Sequence, residues 1–313
     1  MDIVFVVREG ANEELRHALR SVERFVPHDR VWIVGGGPEW LRGVERMRLP
    51  QSKSKYEATT RNLLAIAEHP DLSEDFQYWN DDFFALRPVP AAGPEPMHRG
   101  TVASVLADYR ARLDTESHYV RGMDATRSAL LEAGFGEPLS WEAHVPIVLN
   151  RKLLRESLLW GIEHVRAPVV HKRTIYGTLA GLEGREIADP KVNDVEGWVG
   201  SASGWCSTSD AVFQHGVAGR VLRDIFASPS RFEQPVGERA ARSAAPQVLW
   251  RHKLTGRVVR GGERKFAHMA RWERLGWEES RAWEAQERAD RALAAARAAQ
   301  EAAEGVPAYQ GRA

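Results

Sequence analysis

The sequence predicts an α/β fold with a mostly parallel central sheet, and three segments indicate it. Residues 2–7 form a continuous apolar run rich in β-branched residues, which is typical of a strand covered on both faces. Residues 31–34 form a second run of this kind, and the aromatic residues 76–79 form a third. Because a helical pattern separates the first two runs, we expect a β-α-β unit with parallel strands and a right-handed crossover.

The residues between the first two predicted strands favour a helix. Asn12 can act as its N-cap, and apolar side chains then recur at helical spacing until Pro27 ends the helix. The glycines at residues 35–37 follow the second strand and could belong to a phosphate-binding loop. They do not form the GxGxxG motif, and a backbone with positive φ explains them more simply.

The remaining elements follow from shorter patterns. Residues 57–68 are predicted to form a helix that precedes the aromatic strand. Residues 87–96 are rich in Pro and Ala, so they are predicted to form an irregular loop. Farther along, the patterns predict strands at residues 97–105 and 169–171 and helices at residues 126–133, 149–159 and 207–226.

A polar triplet, Asn80-Asp81-Asp82, follows the aromatic strand at its predicted C-terminal end. In open α/β sheets, ligands bind at the carboxyl ends of the strands. Neighbouring carboxylates suit Mg²⁺ or Mn²⁺, and such a cation can hold a nucleotide diphosphate as a leaving group. A turn without a metal is the simpler alternative, because Asn and Asp are common in loops and at helix starts.

Basic and polar residues lie just before, or in the first turns of, the helix at residues 57–68. They include Lys55, Arg61 and Asn62. A helix N-terminus attracts anions because its backbone dipole and nearby cationic side chains act together. We therefore expect these residues to contact the phosphates of a nucleotide, and a solvated helix start is the alternative.

Composition excludes several classes of protein. The chain has 313 residues, of which 43 are basic and 43 acidic, so no overall charge favours a nucleic acid or a membrane. Its one cysteine, Cys206, excludes an internal disulfide framework. The first residues do not resemble a secretory leader, and no apolar run reaches the roughly 18 residues of a spanning helix. These observations predict a soluble, cytoplasmic protein and leave the oligomeric state open.

The composition changes near residue 234. The next residues are rich in Ala, Arg and Pro, which predicts a linker. A basic segment at residues 251–274 interleaves Arg and Lys with Trp and Phe, so it could bind a nucleic acid or form a solvated basic surface. Residues 278–304 favour a long helix. We therefore predict one domain at residues 1–233 and an appendage at residues 234–313, made of a linker, the basic segment and a helical tail.

The order of the motifs resembles the Stealth family of capsular polysaccharide phosphotransferases. The resemblance depends on DIVFVV at residues 2–7, NEELRHALRSVE at residues 12–23, VWIV at residues 31–34 with PEWL after it, and DFQYWNDDFF at residues 75–84. It is looser from His144-Val145-Pro146 to residue 233. Chains of this length also resemble glycosyltransferases of actinobacterial bacteriophages, which would act in the host cytoplasm.

The resemblance implies a GT-A-like, Rossmann-related fold, a nucleotide-sugar donor and a divalent metal. It places Asp81 and Asp82 at the metal and the diphosphate. One position departs from the family: Arg8 follows the first strand, where these proteins have an acidic residue in a Trp-Val-Asp-Gly ending. Arg8 could contact the diphosphate or serve as an ion-pair partner. Its presence leaves open whether the sugar or the sugar 1-phosphate is transferred.

These observations predict a metal-dependent glycosyltransferase that moves a sugar from a nucleoside-diphosphate sugar to an acceptor hydroxyl. The acceptor would be a glycan or a modified DNA base. Asp82 would act at the metal with Asp81, and His144 is the predicted catalytic base. Two alternatives stay open: transfer of a sugar 1-phosphate, and a non-enzymatic module that binds nucleic acid through residues 251–274.

One further histidine and two polar residue pairs have side chains that could take part in the chemistry. His171 and the Asn193-Asp194 pair are further candidates for the base. Ser209-Asp210 is more simply explained as the start of a helix.

Overall fold

The computed structural model describes residues 1–50, 54–112, 117–197 and 203–234, together with three short strands farther along the chain. The chain divides into two compact units, Met1–Gln234 and Pro235–Ala313. The predicted division into a transferase domain at residues 1–233 and an appendage at residues 234–313 stays a prediction.

The first unit alternates strands and helices. Its strands are β1 (Asp2–Val7), β2 (Val31–Gly35), β3 (Glu45–Arg48), β4 (Asp75–Trp79), β5 (Phe83–Ala85), β6 (Met97–His98), β7 (Ile147–Asn150), β8 (Arg185–Glu186), β9 (Lys191–Val192) and β10 (Trp205–Thr208). Its helices are α1 (Glu13–Phe25), α2 (Lys55–Glu68), α3 (Val102–Arg112), α4 (His118–Glu132), α5 (Arg151–His164), α6 (Lys172–Leu179), α7 (Asp210–His215) and α8 (Val217–Ile225).

The central sheet has five strands in the order β3-β2-β1-β4-β7. β1 pairs in parallel with β2 on one side and with β4 on the other, and β3 pairs in parallel with β2. Only β7, at one edge, pairs antiparallel. The predicted α/β fold with a mostly parallel central sheet is therefore confirmed, as is the parallel pairing of the first two strands.

Helices cover both faces of this sheet. Alternate residues of β1 point to opposite faces. Phe5 packs in the same apolar cluster as Leu15 of α1, whereas Val4 belongs to a second cluster with Leu63 of α2 and Leu158 of α5. A strand buried on both faces must be apolar throughout, and this is why β1 and β2 are continuous apolar runs.

The start of α1 and the loop after β2 have the predicted geometry. The Asn12 side chain caps α1 by accepting a hydrogen bond of 2.8 Å from the backbone N of Leu15. Gly35 and Gly37 have φ of 101° and 118°, which explains two of the three glycines in the loop. At Gly36, a Cβ atom would lie 2.5 Å from the backbone N of Glu9, so only glycine fits without a shift of the backbone.

A second, three-stranded sheet lies beyond the end of β4. Its order is β5-β10-β9, and Ser207 of β10 lies opposite both Phe83 of β5 and Lys191 of β9. β5 begins immediately after Asp82. This sheet therefore brings residues 191, 207 and 208 close to the Asn80-Asp81-Asp82 triplet, although they lie more than 100 residues away in the chain.

The structure corrects several predicted elements in the second half of the unit. The strand predicted at residues 97–105 is limited to Met97–His98, and α3 begins at Val102. Residues 169–171 form no strand and instead lead into α6. The helix predicted at residues 207–226 begins later, because Trp205–Thr208 is a strand. Short apolar runs fit a strand or a helix equally well, and here tertiary pairing decides between them.

Helix boundaries differ from the prediction in the same region. α4 starts at His118 rather than at residue 126, with Ser117 as its N-cap. α5 begins at Arg151 and continues to His164, because residues 147–150 pair with β4 as an edge strand. Gly216 separates α7 from α8 and ends α7 with an extended backbone.

Glu233 attaches the end of the first unit to α1. Its side chain is only 4% exposed and accepts hydrogen bonds from Arg20 Nε at 2.7 Å, Arg16 Nη1 at 2.8 Å and the backbone N of Ser230 at 2.8 Å. Burial by itself would raise the pKa of Glu233. The hydrogen bonds from Arg20, Ser230 and Arg16 outweigh burial and lower this pKa to about 2.

We expect Glu233→Gln to lower the free energy of unfolding by about 3 kcal/mol at pH 7, because it leaves two partly buried arginines without their carboxylate. In the wild-type protein this contribution should be complete above about pH 4.5 and lost as the pH falls towards 2. Urea unfolding at pH 7 and pH 3 measures both effects. Glu23→Gln is the control, since Glu23 makes a longer, more exposed pair with Arg231 and should cost less than about 1 kcal/mol. Equal losses in the two variants would contradict this account.

In the second unit, the described residues are β11 (Val248–His252), β12 (Val258–Gly261) and β13 (Trp272–Arg274). They form an antiparallel sheet in the order β12-β11-β13, so part of the basic segment at residues 251–274 is strand. The predicted linker, apart from Gln234, and the helical tail predicted at residues 278–304 lie outside the described residues. None of the helices in the described ranges combines the length and the apolar character that crossing a membrane requires.

Candidate active site

The Asn80-Asp81-Asp82 triplet lies at the carboxyl end of β4, as predicted, next to the end of β1. A cavity of about 450 Å³ opens there, which we call the acidic cavity. Four carboxylates and two cations are among its lining residues. The polar lining residues are Arg8, Glu14, Thr59, Asn62, Asn80, Asp81, Asp82, Lys191, Thr208, Ser209 and Asp210.

Asp81 is held by the start of α1. The Nδ2 atom of Asn12 donates a hydrogen bond to Asp81 Oδ2, while Oδ1 of the same asparagine caps the helix. Burial and the neighbouring charge of Asp82 raise the pKa of Asp81, and the hydrogen bond from Asn12 and the charge of Arg8 offset them only in part. This carboxylate is therefore poorly compensated, and a cation bound beside it would stabilise its charged form.

Asp82 already has a cationic partner, which the sequence did not indicate. Its Oδ2 accepts from Lys191 Nζ and, at 2.8 Å, from Ser207 Oγ. Lys191 Nζ also donates to the backbone carbonyl of Thr208. Both charged side chains are mostly buried, with exposures of 16% for Asp82 and 17% for Lys191. The ion pair fixes the orientation of Asp82, which directly precedes β5 of the second sheet.

Glu14 is a buried acid in the wall of the acidic cavity, and the sequence analysis missed it. Its Oε1 accepts a hydrogen bond of 2.7 Å from Thr208 Oγ1. Burial, together with the nearby acids Asp210 and Asp82, raises the pKa of Glu14 to about 8. Nothing in the local pattern distinguishes Glu14 from the exposed acid Glu13 beside it, so only the packing of α1 identifies it.

We expect the free energy of unfolding of the wild-type protein to fall by about 5 kcal/mol between about pH 4.5 and 8 through Glu14 alone. Over that window the unfolded chain has lost this proton, whereas the folded chain retains it. Glu14→Gln should remove most of this slope, because an amide can still accept from Thr208 and carries no charge. Urea unfolding at pH 5, 7 and 9 in EDTA measures the slope.

Glu13→Gln is the matched control for the pH profile, since Glu13 is exposed and pairs with Arg16 one turn away. It should leave the slope unchanged. If Glu14→Gln gave a profile parallel to that of the wild type, Glu14 would not be the group that titrates.

The residues predicted to bind phosphate have different positions. Arg8 lies at the end of β1 and lines the acidic cavity, as does Asn62. Asn62 is 4% exposed, and its Oδ1 has no hydrogen-bond partner among the described residues. The structure does not bring Arg61 to this cavity, because its Nη2 donates to the carbonyl of Pro50. The side chain of Lys55 lies outside the described residues.

His144 lines a neighbouring cavity of about 240 Å³, which we call the aromatic cavity. Its ring and polar side chains come from β4, β5, α2, α4, the start of α6 and the connecting segments before β5, β7 and α6. They are Tyr56, Thr59, Tyr78, Asn80, Phe83, Tyr119, Glu142, His144, His171, Lys172 and Arg173. Asn80 and Thr59 line both cavities, so a ligand in one cavity adjoins a ligand in the other.

Asp189 holds the ring of His144. Nδ1 of His144 lies 2.9 Å from Asp189 Oδ2, and the backbone N of His144 donates to Asp189 Oδ1 at 3.0 Å. Arg99 lies on the other side of Asp189, with Nε at 3.5 Å from Oδ2. Burial opposes the charge of Asp189, but the hydrogen bond from His144 and the charge of Arg99 outweigh it and lower its pKa. Asp189 is not among the site residues predicted from the sequence.

The other candidate residues are placed as follows. His171 is buried, and its Nε2 lies 3.0 Å from the carbonyl oxygen of Tyr119. Asn193 and Asp194 are exposed, and the Asp194 side chain accepts from the backbone N of Glu196 in a turn. Ser209 caps α7, as predicted, and both Ser209 and Asp210 line the acidic cavity. Of these positions, His171 therefore adjoins the aromatic cavity, and Ser209 and Asp210 adjoin the acidic cavity.

The donor set of the acidic cavity fits a hard divalent cation that binds together with a phosphate. In the described part of the chain, no group of three or more His, Cys, Asp or Glu side chains is arranged to hold a metal by itself. Mg²⁺ commonly takes only one or two carboxylates and completes its shell with phosphate oxygens and water. Asp81 and Asp82, with the poorly compensated charge of Asp81, meet that requirement.

Two curated relatives are phosphotransferases of bacterial polysaccharides. The chain is 36% identical over 94 residues to the capsular polysaccharide phosphotransferase LcbA of Aeromonas hydrophila, a match that covers 27% of this chain and 26% of that protein. It is 31% identical over 159 residues to an exopolysaccharide phosphotransferase of Nocardia farcinica, covering 46% and 31%. The chain therefore spans about a third or less of these relatives. The predicted resemblance to polysaccharide phosphotransferases is confirmed at this modest identity, and no protein-family model matches the chain.

Solved structures that the chain resembles are glycosyltransferases. The galactosyltransferase LgtC, in complex with donor and acceptor sugar analogues, is 14% identical, with a TM-score of 0.46 over 77% of this chain and 99% of that chain. The glycosyltransferase GlyE of Streptococcus pneumoniae is 13% identical, with a TM-score of 0.34 over 60% and 45%. Both TM-scores are below 0.5.

Proposed function

We propose that this protein is a metal-dependent transferase that uses a nucleoside-diphosphate sugar and modifies an acceptor hydroxyl. The observation that carries the proposal is the position of Asp81 and Asp82 in a cavity at the carboxyl ends of β1 and β4, beside a second cavity that contains His144. The names of the curated relatives support a transfer of this type. The GT-A-like fold and the donor are what the sequence resemblance implies.

The acidic cavity is the proposed site of the donor diphosphate. Arg8 would contact the phosphates, because it lines the cavity and forms no ion pair with the described residues. Lys191 would add positive charge while it keeps Asp82 in place. Asn62 offers a buried carbonyl oxygen, without a partner, to a donor hydroxyl. We do not include Arg61 in this site.

Asp81 and Asp82 would hold Mn²⁺ or Mg²⁺. When bound, this cation would neutralise charge on the diphosphate and stabilise it as a leaving group. A bound cation would also explain why four carboxylates surround one cavity, because they repel each other when no cation is present.

His144 is the proposed base. Asp189 accepts the hydrogen bond of Nδ1–H, so neutral His144 presents Nε2 as its free acceptor. The proton of the acceptor hydroxyl would move to Nε2 of His144. At the same time, the oxygen of that hydroxyl would bond to the anomeric carbon of the donor. The bond from that carbon to the diphosphate breaks in the same step, and the nucleoside diphosphate leaves with the electron pair.

Transfer of a sugar 1-phosphate is the second candidate, and the names of both curated relatives favour it. In that reaction the acceptor oxygen would bond to phosphorus, and a nucleoside monophosphate would leave. The same base and the same carboxylates serve both reactions. A glycan is the acceptor that these names support. The nucleic-acid alternative remains a prediction, because the side chains of residues 251–274 lie outside the description.

A thermal-shift screen of nucleoside-diphosphate sugars, with and without Mn²⁺, tests the proposal. One donor should raise the melting temperature only when the metal is present, since a ligand that binds the folded state stabilises it. Nucleosides and free sugars are the controls. Products from a donor labelled in the sugar-linked phosphate then separate the two reactions, because only sugar 1-phosphate transfer leaves the label on the acceptor. No response to any nucleotide sugar with metal present would refute the proposal.

A further inference from the structure

The aromatic cavity contains two cations that no described carboxylate pairs with. Lys172 and Arg173 begin α6 and line this cavity. Arg173 is 8% exposed; Nη1 donates to the carbonyl of Ala143 at 2.9 Å, whereas Nε and Nη2 have no partner in the described residues. Lys172 Nζ donates to a neutral group, the carbonyl of Val170, at 3.3 Å.

Glu142 is the nearest acid, but it is engaged elsewhere. Its Oε1 accepts from the backbone N of Arg173 at 3.1 Å and of Thr174 at 3.3 Å. It therefore caps α6, where His171 provides no side-chain cap. Glu142 moderates the positive charge of the cavity without forming an ion pair with Lys172 or Arg173.

His171 provides a second unmatched polar group. It is 2% exposed, and its Nδ1 has no hydrogen-bond partner in the described ranges; Glu142 Oε1 is 4.0 Å away. Nε2 lies 3.0 Å from the carbonyl oxygen of Tyr119. His171 and Arg173, two positions apart in the chain and both lining this cavity, thus have buried polar nitrogens without partners among the described residues.

Such an arrangement is costly unless a ligand completes it. A buried charge without a partner costs several kcal/mol, and unpaired cations in a cleft are typical of binding sites. The rings of Tyr56, Tyr78 and Phe83 also line the cavity and offer apolar faces. Its volume of about 240 Å³ is below the roughly 300–1,000 Å³ of pockets for drug-sized ligands, which suits a single small unit.

We propose that the aromatic cavity is the acceptor site and that it selects an acceptor unit bearing a carboxylate or phosphate group, held by the charges of Lys172 and Arg173. This inference rests on the proposed function, which assigns the donor diphosphate to the acidic cavity. A catalytic base must reach the acceptor hydroxyl, and His144 lines the aromatic cavity. The two cavities meet at Asn80 and Thr59, where the acceptor would approach the donor.

Calorimetric titration of the full chain with glucuronate, glucose 6-phosphate and glucose tests the selectivity of the cavity without any transfer reaction. Both anionic sugars should bind at least about tenfold more tightly than glucose, as expected for a charge-assisted contact in a partly buried site. Lys172→Gln should remove most of that preference, and Lys172→Arg should retain it. Lys152→Gln, at an exposed position of α5, is the control and should change nothing.

Two results would overturn the inference. One is equal binding of glucose and glucuronate by the wild-type protein. The other is competition from pyrophosphate with Mg²⁺, combined with weaker pyrophosphate binding in Lys172→Gln, because the cations would then serve the donor. The test is independent of the proposed function: if no nucleotide sugar binds but the preference for anionic sugars depends on Lys172, the proposed function fails and the anion selectivity of the cavity is supported.

Discussion

Asp82→Asn is expected to lower kcat/KM for donor-dependent transfer by about 10³-fold, which corresponds to about 4 kcal/mol of transition-state stabilisation. The asparagine oxygen can still accept from Lys191 and Ser207, so the second sheet should stay in place. The substitution removes only the negative charge at the proposed cation site. The measurement is initial rate with the donor that stabilises the wild-type protein, together with its melting temperature.

The variant should also lose its response to metal. Wild-type protein with donor should melt at a higher temperature when Mn²⁺ is added, and Asp82→Asn should show little of this increase. Asp194→Asn is the control, because Asp194 is an exposed acid in a turn outside both cavities. An Asp82→Asn protein with more than a tenth of wild-type activity and an unchanged metal response would exclude Asp82 from the site.

His144→Gln should lower kcat by about 10²–10⁴-fold while donor binding stays the same, as expected for the loss of a general base. Asp189→Asn should lower kcat by about 10²-fold, because the amide removes the negative charge and can turn an N–H donor towards Nδ1, which would place the ring proton on Nε2. It should also change the pH dependence of kcat, a readout that a purely structural residue would not alter. Stopped assays across pH 5–9 measure both effects.

The double variant separates positioning from independent action. If Asp189 acts through His144, the protein with both substitutions should be no less active than His144→Gln alone, since residues that act as a unit are not additive. If the loss of kcat in the double variant equalled the product of the two single losses, His144 and Asp189 would have separate roles. His164→Gln is the control, because His164 is an exposed histidine on α5 whose Nδ1 contacts the carbonyl of Trp160.

Features that depend on neighbours in the chain were predictable. β1 and β2 are apolar along their whole length because both faces of each strand are covered, so their pattern is visible in the sequence. The cap at Asn12 and the glycine loop at residues 35–37 depend on local backbone geometry. The position of Asp81 and Asp82 follows from the end of β4, and the neighbouring aromatic residues indicate that end.

Elements that depend on distant partners were not predictable. β5, β7 and β10 have three or four residues each, and each exists because another strand supplies its hydrogen bonds. A run this short fits a strand, a turn or the first turn of a helix. The prediction therefore missed β7 and treated β10 as the beginning of a helix.

By itself the sequence determined where the apolar runs of β1, β2 and β4 lie in the chain and that a helix separates β1 from β2. It also placed Asp81 and Asp82 at the carboxyl end of a strand. Only the tertiary structure decided which groups meet those acids and the predicted base. Lys191 reaches Asp82 across 109 positions, Thr208 reaches Glu14 across 194, and Asp189 reaches His144 across 45. The physical reason is that charge and hydrogen bonding act over a few ångströms in space, and packing of the second sheet against the first brings distant residues within that range.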